Sequence, residues 1–111
     1  MIRYAVSIVD DEESIRDGLR RILEDEYDIF SHYDAETFLD SLDSQLPDLV
    51  LMDIGLPRMS GIEALGILKE KHPHLPVIMI TAFEEIQIVI DCMKQGAFDF
   101  ILKPLDPDIL E

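Results

Sequence analysis

Asp10, Asp11, Asp53, Thr81 and Lys103 each stand directly after, or one residue beyond, an apolar run of this chain. Taken singly, each has an ordinary explanation. An Asp or Thr after a strand commonly caps the next helix or makes a turn, and a lone Lys is commonly a solvated cation. Taken together, three carboxylates, a hydroxyl and a lysine delivered to one edge suit phosphoryl chemistry. Like charges about 4 Å apart repel by roughly 4 kcal/mol at an effective dielectric of about 20. A hard divalent cation offsets that repulsion, and Mg²⁺ favours a few carboxylates, waters and a phosphate oxygen. A carboxylate is also a competent nucleophile toward phosphorus. Such transfer needs mainly positioning and charge neutralisation, which a lysine and a hydroxyl can complete.

The elements that must position these groups alternate along the chain. Residues 4–9, 27–33, 48–52, 77–80 and 98–102 read as strands. Three of them are almost continuously apolar, as in parallel strands covered on both faces. The second, YDIFSHY, is more polar and suits an edge. Helix-period segments fill the intervals at residues 12–25, 35–44, 61–72 and 84–95. Asp34 is a candidate N-cap, Ser60 with Glu63 forms a capping box, and Gly96 is placed for a left-handed C-cap. In the fourth helix Ile86, Val89, Ile90 and Met93 are expected to face inward. Ile88 is then expected to point outward, as a lone apolar residue or as part of a regulated contact surface with strand five. Asp106-Pro107 has the form of a helix start, and the sequence reaches Glu111 about one turn later. The pattern predicts one α/β domain over residues 1–111, a parallel sheet with right-handed crossovers and a truncated fifth helix. A sheet face left uncovered there predicts a homodimer through that face, or lower stability than a longer chain would have.

Composition narrows the function classes. The chain has 111 residues, with 24 Asp and Glu against 9 Lys and Arg, for a formal charge of −15. That balance argues against nucleic-acid binding by this segment, which needs clustered cations. No apolar run approaches the ~20 residues that span a bilayer. With no signal-peptide pattern and a single Cys92, the expected location is the cytoplasm. His32, His72 and His74 form no ligand set with the acids.

These residues carry a family resemblance over essentially the whole chain. It rests on Val9-Asp10-Asp11-Glu12, on Leu51-Met52-Asp53-Ile54 followed by Leu56-Pro57 and Met59-Ser60-Gly61, on Ile80-Thr81-Ala82, and on Gly96-Ala97-Phe98-Asp99-Phe100 leading to Lys103-Pro104. The chain resembles the receiver domains of two-component response regulators. The resemblance implies a flavodoxin-like (βα)5 three-layer sandwich with sheet order 2-1-3-4-5, an order known for this fold class. It implies that Asp53 is the phosphoacceptor, taking its phosphoryl group from a sensor histidine kinase. Mg²⁺ would be held by Asp10, Asp11, Asp53 and the carbonyl of Gly55. Thr81 and Lys103 would contact the phosphoryl group, Phe100 would be the switch aromatic moving with Thr81, and the bond to Pro104 would be cis. The Gly-Ala-Phe-Asp-Phe run is similar to receivers joined to sigma-54-type transcription activators, implying a C-terminal output domain. Gly55 and Phe83, two residues after Asp53 and Thr81, depart from the commonest family pattern where phosphoryl lifetime is tuned. Phe100 lacks the hydroxyl of the more usual Tyr.

Three other readings compete. A Mg²⁺-dependent phosphatase of the haloacid-dehalogenase type would place its nucleophile and a second Asp two residues apart after strand one and carry a cap insertion; here the two Asp are adjacent, the central Asp53 follows strand three, and no cap insertion is present. A phosphate-independent interaction module of the same fold would show a broken site, whereas each expected residue is here. A flavin-binding relative would need a phosphate loop where Asp10-Asp11-Glu12-Glu13 stand. The expected role is therefore a phosphorylation-dependent switch and not an enzyme.

Overall fold

The computed structural model describes residues 2–81 and 86–103. Val, Ile, Leu and Met dominate the apolar runs, and side chains of this kind suit a pleated surface buried on both faces. The runs form β1 (Ala5–Val9), β2 (Asp28–His32), β3 (Leu49–Asp53), β4 (Val77–Thr81) and β5 (Asp99–Leu102). Between them lie α1 (Glu13–Leu23), α2 (Ala35–Ser41), α3 (Gly61–Lys71) and α4 (Ile86–Lys94). All strands are parallel, in the order β2-β1-β3-β4-β5. This is the order the resemblance implies, and the more polar β2 is an edge as expected.

Period-2 alternation divides the core in two. Val9, Val50, Met52, Val77 and Met79 face one way, into a large cluster with Phe38, Leu65, Leu68 and Val89 of α2, α3 and α4. Val6, Ile8, Leu51 and Ile80 face the other way, against Leu19 of α1. On that second side a cleft of about 670 Å³ is lined by Leu23, Tyr27, Leu49, Ile78 and Ile101 among others. The expected fifth helix and the cis bond at Pro104 fall on residues 104–111, outside the described residues. So do Ala82, Phe83 and Glu84.

The register aligns the carboxyl ends that carry the chemistry. Val9 lies beside Met52, Asp53 beside Ile80, and Thr81 beside Leu102. Ladder bonds continue one residue past the strands. Asp10 N–H donates to His32 O (3.1 Å), Ile54 N–H to Ile80 O (3.1 Å) and Lys103 N–H to Thr81 O (2.8 Å).

The caps form where the sequence puts them. Asp34 Oδ1 accepts from Thr37 N–H (2.8 Å) and Ser60 Oγ from Glu63 N–H (3.2 Å). Gly96 has φ 106°. Helix α2 stops earlier than its expected end at 44. Ser41 Oγ donates back to Phe38 O (2.6 Å), a local bond of the kind that competes with helix continuation.

Helix α4 differs from expectation in phase. Val89 and Cys92 are buried and Ile88 packs against the large cluster, whereas Ile90 is 44% and Met93 40% exposed. The inward face is thus turned by about 100°, one residue's step on a helix. Because α4 is apolar on several sides, periodicity alone gave two solutions. The small Cys92 side chain lets the helix close on the sheet at Ile88 and Val89. Ile88 is accordingly a packing residue and not the outward contact expected of it.

Candidate functional site

The carboxyl edge of the sheet gathers the expected residues. Asp10 is fully buried at the end of β1, Asp53 is 6% exposed at the end of β3, and Thr81 is fully buried at the end of β4. Lys103, just past β5, reaches across from the other side. Its Nζ lies 3.4 Å from Asp53 Oδ1 and 3.6 Å from Asp10 Oδ2, and it donates to Glu12 Oε1 at 3.0 Å. One cation therefore links three carboxylates from two strand ends.

Carboxylate oxygens of Asp10, Asp11 and Glu12 lie within 4.8 Å of one another. Asp10 Oδ1 accepts from Glu12 N–H (2.9 Å), but the buried Oδ2 has no hydrogen-bond partner. A buried unpaired carboxylate oxygen is costly. It fits a site built to receive a cation, with oxygen donors of the type Mg²⁺ takes. Arg16 steadies this corner by donating to Asp10 O (2.6 Å).

The electrostatics follow from burial. Burial pushes the Asp10 carboxyl up from 3.8 to about 6; the Glu12 N–H opposes this and the Asp53 charge adds to it. Burial raises Asp53 as well, against the pull of Lys103 and the Gly55 backbone N–H. For Lys103 burial favours the neutral amine. The bond to Glu12 and the charges of Asp10 and Asp53 outweigh it, so its pKa lies above the ordinary lysine range. The site thus holds a lysine firmly charged beside two acids that resist ionisation.

Phe100 is half-buried and packs against the large cluster, beside Met79 of β4. Gly55 is exposed, and a Cβ placed on it would meet nothing within 4 Å. Two contributors went unassigned in the sequence. Glu12 stands next to the acid pair, but adjacency alone does not reveal that its side chain bridges to a lysine 91 positions away. Arg58, Asp34 and Glu36 form a further set beside the loop after β3, and only the fold brings them together.

The profile of the response regulator receiver domain matches residues 6–111. The chain belongs to the response regulator receiver domain family. Among its relatives, the DNA-binding transcriptional regulator NtrC of Proteus hauseri is 42% identical over 106 residues, covering 93% of this chain and 22% of that protein. The nitrogen assimilation regulatory protein NtrX of Azorhizobium caulinodans is 40% identical over 110 residues, covering 96% and 24%. The crystal structure of the receiver domain of NtrX from Brucella abortus superposes with a TM-score of 0.90 at 38% identity, covering 95% of this chain and 90% of that one. The receiver thus spans about a quarter of the length of those curated relatives. Likeness to receivers of NtrC-type regulators agrees with the expectation drawn from the Gly-Ala-Phe-Asp-Phe run. No helix among the described residues is long and apolar enough to cross a membrane.

Proposed function

We propose that this receiver accepts a phosphoryl group on Asp53 in a Mg²⁺-dependent reaction and acts as a switch for an output domain. The observation that carries the reading is the buried Asp10 Oδ2, which takes no hydrogen bond, beside Asp11, with Lys103 set between Asp10 and Asp53. The single charge of Lys103 is shared among three carboxylates, which leaves the cluster in want of further positive charge.

An Asp53 carboxylate oxygen attacks phosphorus. The bond from phosphorus to the donor breaks, and the donor leaves with its electron pair. The donor is a phosphohistidine of a sensor kinase, or a small acyl phosphate in the test tube. Asp10, Asp11, Asp53 and the Gly55 carbonyl are the residues that would hold Mg²⁺, which supplies charge neutralisation when bound. Lys103 neutralises the phosphoryl oxygens from the other side, and its raised pKa keeps it charged throughout the physiological range. Thr81 donates to a phosphoryl oxygen, and movement of Thr81 permits Phe100 to repack. Phosphorylation then favours a minor conformation through contacts that only the modified state makes. In this reading the receiver is a phosphoacceptor and not an enzyme acting on a separate substrate. Its partners are a sensor histidine kinase and a C-terminal output domain that regulates transcription.

Intact mass after incubation with acetyl phosphate tests this. A gain of one phosphoryl group, about 80 Da for a phosphate modification, is expected in the parent with Mg²⁺. It should be absent without Mg²⁺ and absent in Asp53→Asn. No gain in a folded parent would favour the phosphate-independent module.

A further inference from the structure

Arg58 is the one residue other than glycine with a left-handed backbone among the described residues, at φ 60°. Such a position favours glycine, so an arginine there calls for a reason. Its guanidinium pairs with Asp34, and its Nε lies 3.3 Å from Glu36 Oε2. The same Glu36 oxygen accepts from Met59 N–H at 3.3 Å. Asp34 is buried and already caps α2 through its other oxygen. Two successive residues of the loop after β3 are thereby tied to the first turn of α2.

That loop carries Gly55. Its far end is closed by Gly61 N–H, which donates to Ile54 O (3.0 Å). Ile54 and Leu56 are buried on either side of Gly55, but Gly55 itself is exposed with open space around it. Its N–H is engaged by the Asp53 carboxylate, and the direction of its carbonyl follows the path of the loop onward through the buried Leu56.

We infer that Arg58 is a positioning residue, whose tie to Asp34 and Glu36 sets the loop that presents the Gly55 carbonyl and so sets the cation affinity of the site. The inference rests on the Mg²⁺ reading proposed above. It makes a prediction opposite in sign to simple electrostatics. Removing a positive charge near an acidic site should tighten cation binding; removing a positioning tie should weaken it.

The test is isothermal titration of the folded receiver with Mg²⁺, with thermal melts recorded in its absence. Arg58→Ala is expected to raise the Mg²⁺ dissociation constant about ten-fold, the scale at which losing an outer contact acts on a metal site. Arg58→Gly suits the left-handed backbone, so its melting temperature should recover relative to Arg58→Ala. Its dissociation constant should stay raised. A purely structural role would move the melt alone. Arg58→Lys keeps the charge but not the two-pronged contact, and should fall between parent and Arg58→Ala. Dissociation constants for Arg58→Ala and Arg58→Gly within two-fold of the parent, or tighter, overturn the inference and leave the cation reading intact. A folded parent with no saturable Mg²⁺ binding overturns both.

Discussion

Asp10→Asn is expected to make the cation-free receiver more stable at pH 7, by roughly 2 kcal/mol, while weakening its response to Mg²⁺. The carboxyl is fully buried, one of its oxygens accepts no hydrogen bond, and burial moves its pKa from 3.8 to about 6. At about 1.4 kcal/mol per pH unit of displacement, keeping it ionised at pH 7 costs the fold about 3 kcal/mol. The attraction of Lys103 Nζ, 3.6 Å away, is already contained in that value. The amide keeps an acceptor for Glu12 N–H but buries an NH₂ group of its own, which lowers the expected gain to roughly 2 kcal/mol.

The pH dependence has a definite sign. A carboxyl whose folded pKa is raised carries no penalty below its unfolded value. The penalty grows as pH rises from 3.8 toward about 6 and is constant above that. The stability gap between variant and parent should therefore open over that window. Urea unfolding of both proteins, without cation, at pH 4 and pH 7 measures it, and titrations not coupled to Asp10 cancel in the difference. Saturating Mg²⁺ should then narrow the gap, because a ligand that binds only the folded parent adds to its stability alone. A variant no more stable than the parent at pH 7 would show that the unpaired oxygen carries no penalty.

Much of this was legible in the sequence, and the reasons differ by element. The strands were clear because Val, Ile, Leu and Met runs bounded by charged residues leave few alternatives. Asp10, Asp53, Thr81 and Lys103 were clear because each follows a strand, and a parallel sheet brings such positions to one edge. The phase of α4 was not clear, since Ile88, Val89, Ile90 and Met93 offer two apolar faces and only packing against the sheet selects one. The link from Lys103 to Glu12 and the tie from Arg58 to Asp34 and Glu36 were not clear either. Both join charges far apart in sequence, and in a chain with 24 acids the pattern does not say which acid a given cation will meet. Left-handed backbone at Arg58 is equally invisible, because nothing in an Arg signals it.

Gly61→Ala is expected to lower stability by about 2–3 kcal/mol and to slow phosphorylation of Asp53, whereas Gly66→Ala in the same helix should do neither. An added Cβ at Gly61 would sit 2.1 Å from Asp53 O and 3.0 Å from Ile54 Cα. These are backbone atoms of the strand end, with no flexible side chain to give way. Overpacking of this kind costs about 1–3 kcal/mol or more. The group that must move is the backbone of Asp53, the proposed phosphoacceptor, and a shift near 1 Å at a reacting group can slow chemistry about a hundred-fold. At Gly66 the nearest atom to a new Cβ is Gln95 Oε1 at 3.7 Å, an ordinary contact. There alanine should stabilise the receiver by about 0.5–1 kcal/mol through helix propensity. Urea unfolding paired with the time course of acetyl phosphate labelling separates the two positions. Equal behaviour of both variants would mean that α3 does not approach β3 as closely as the structure has it. A Gly61→Ala protein that is destabilised but labels at the parent rate would place the adjustment in α3, leaving Asp53 where it stands.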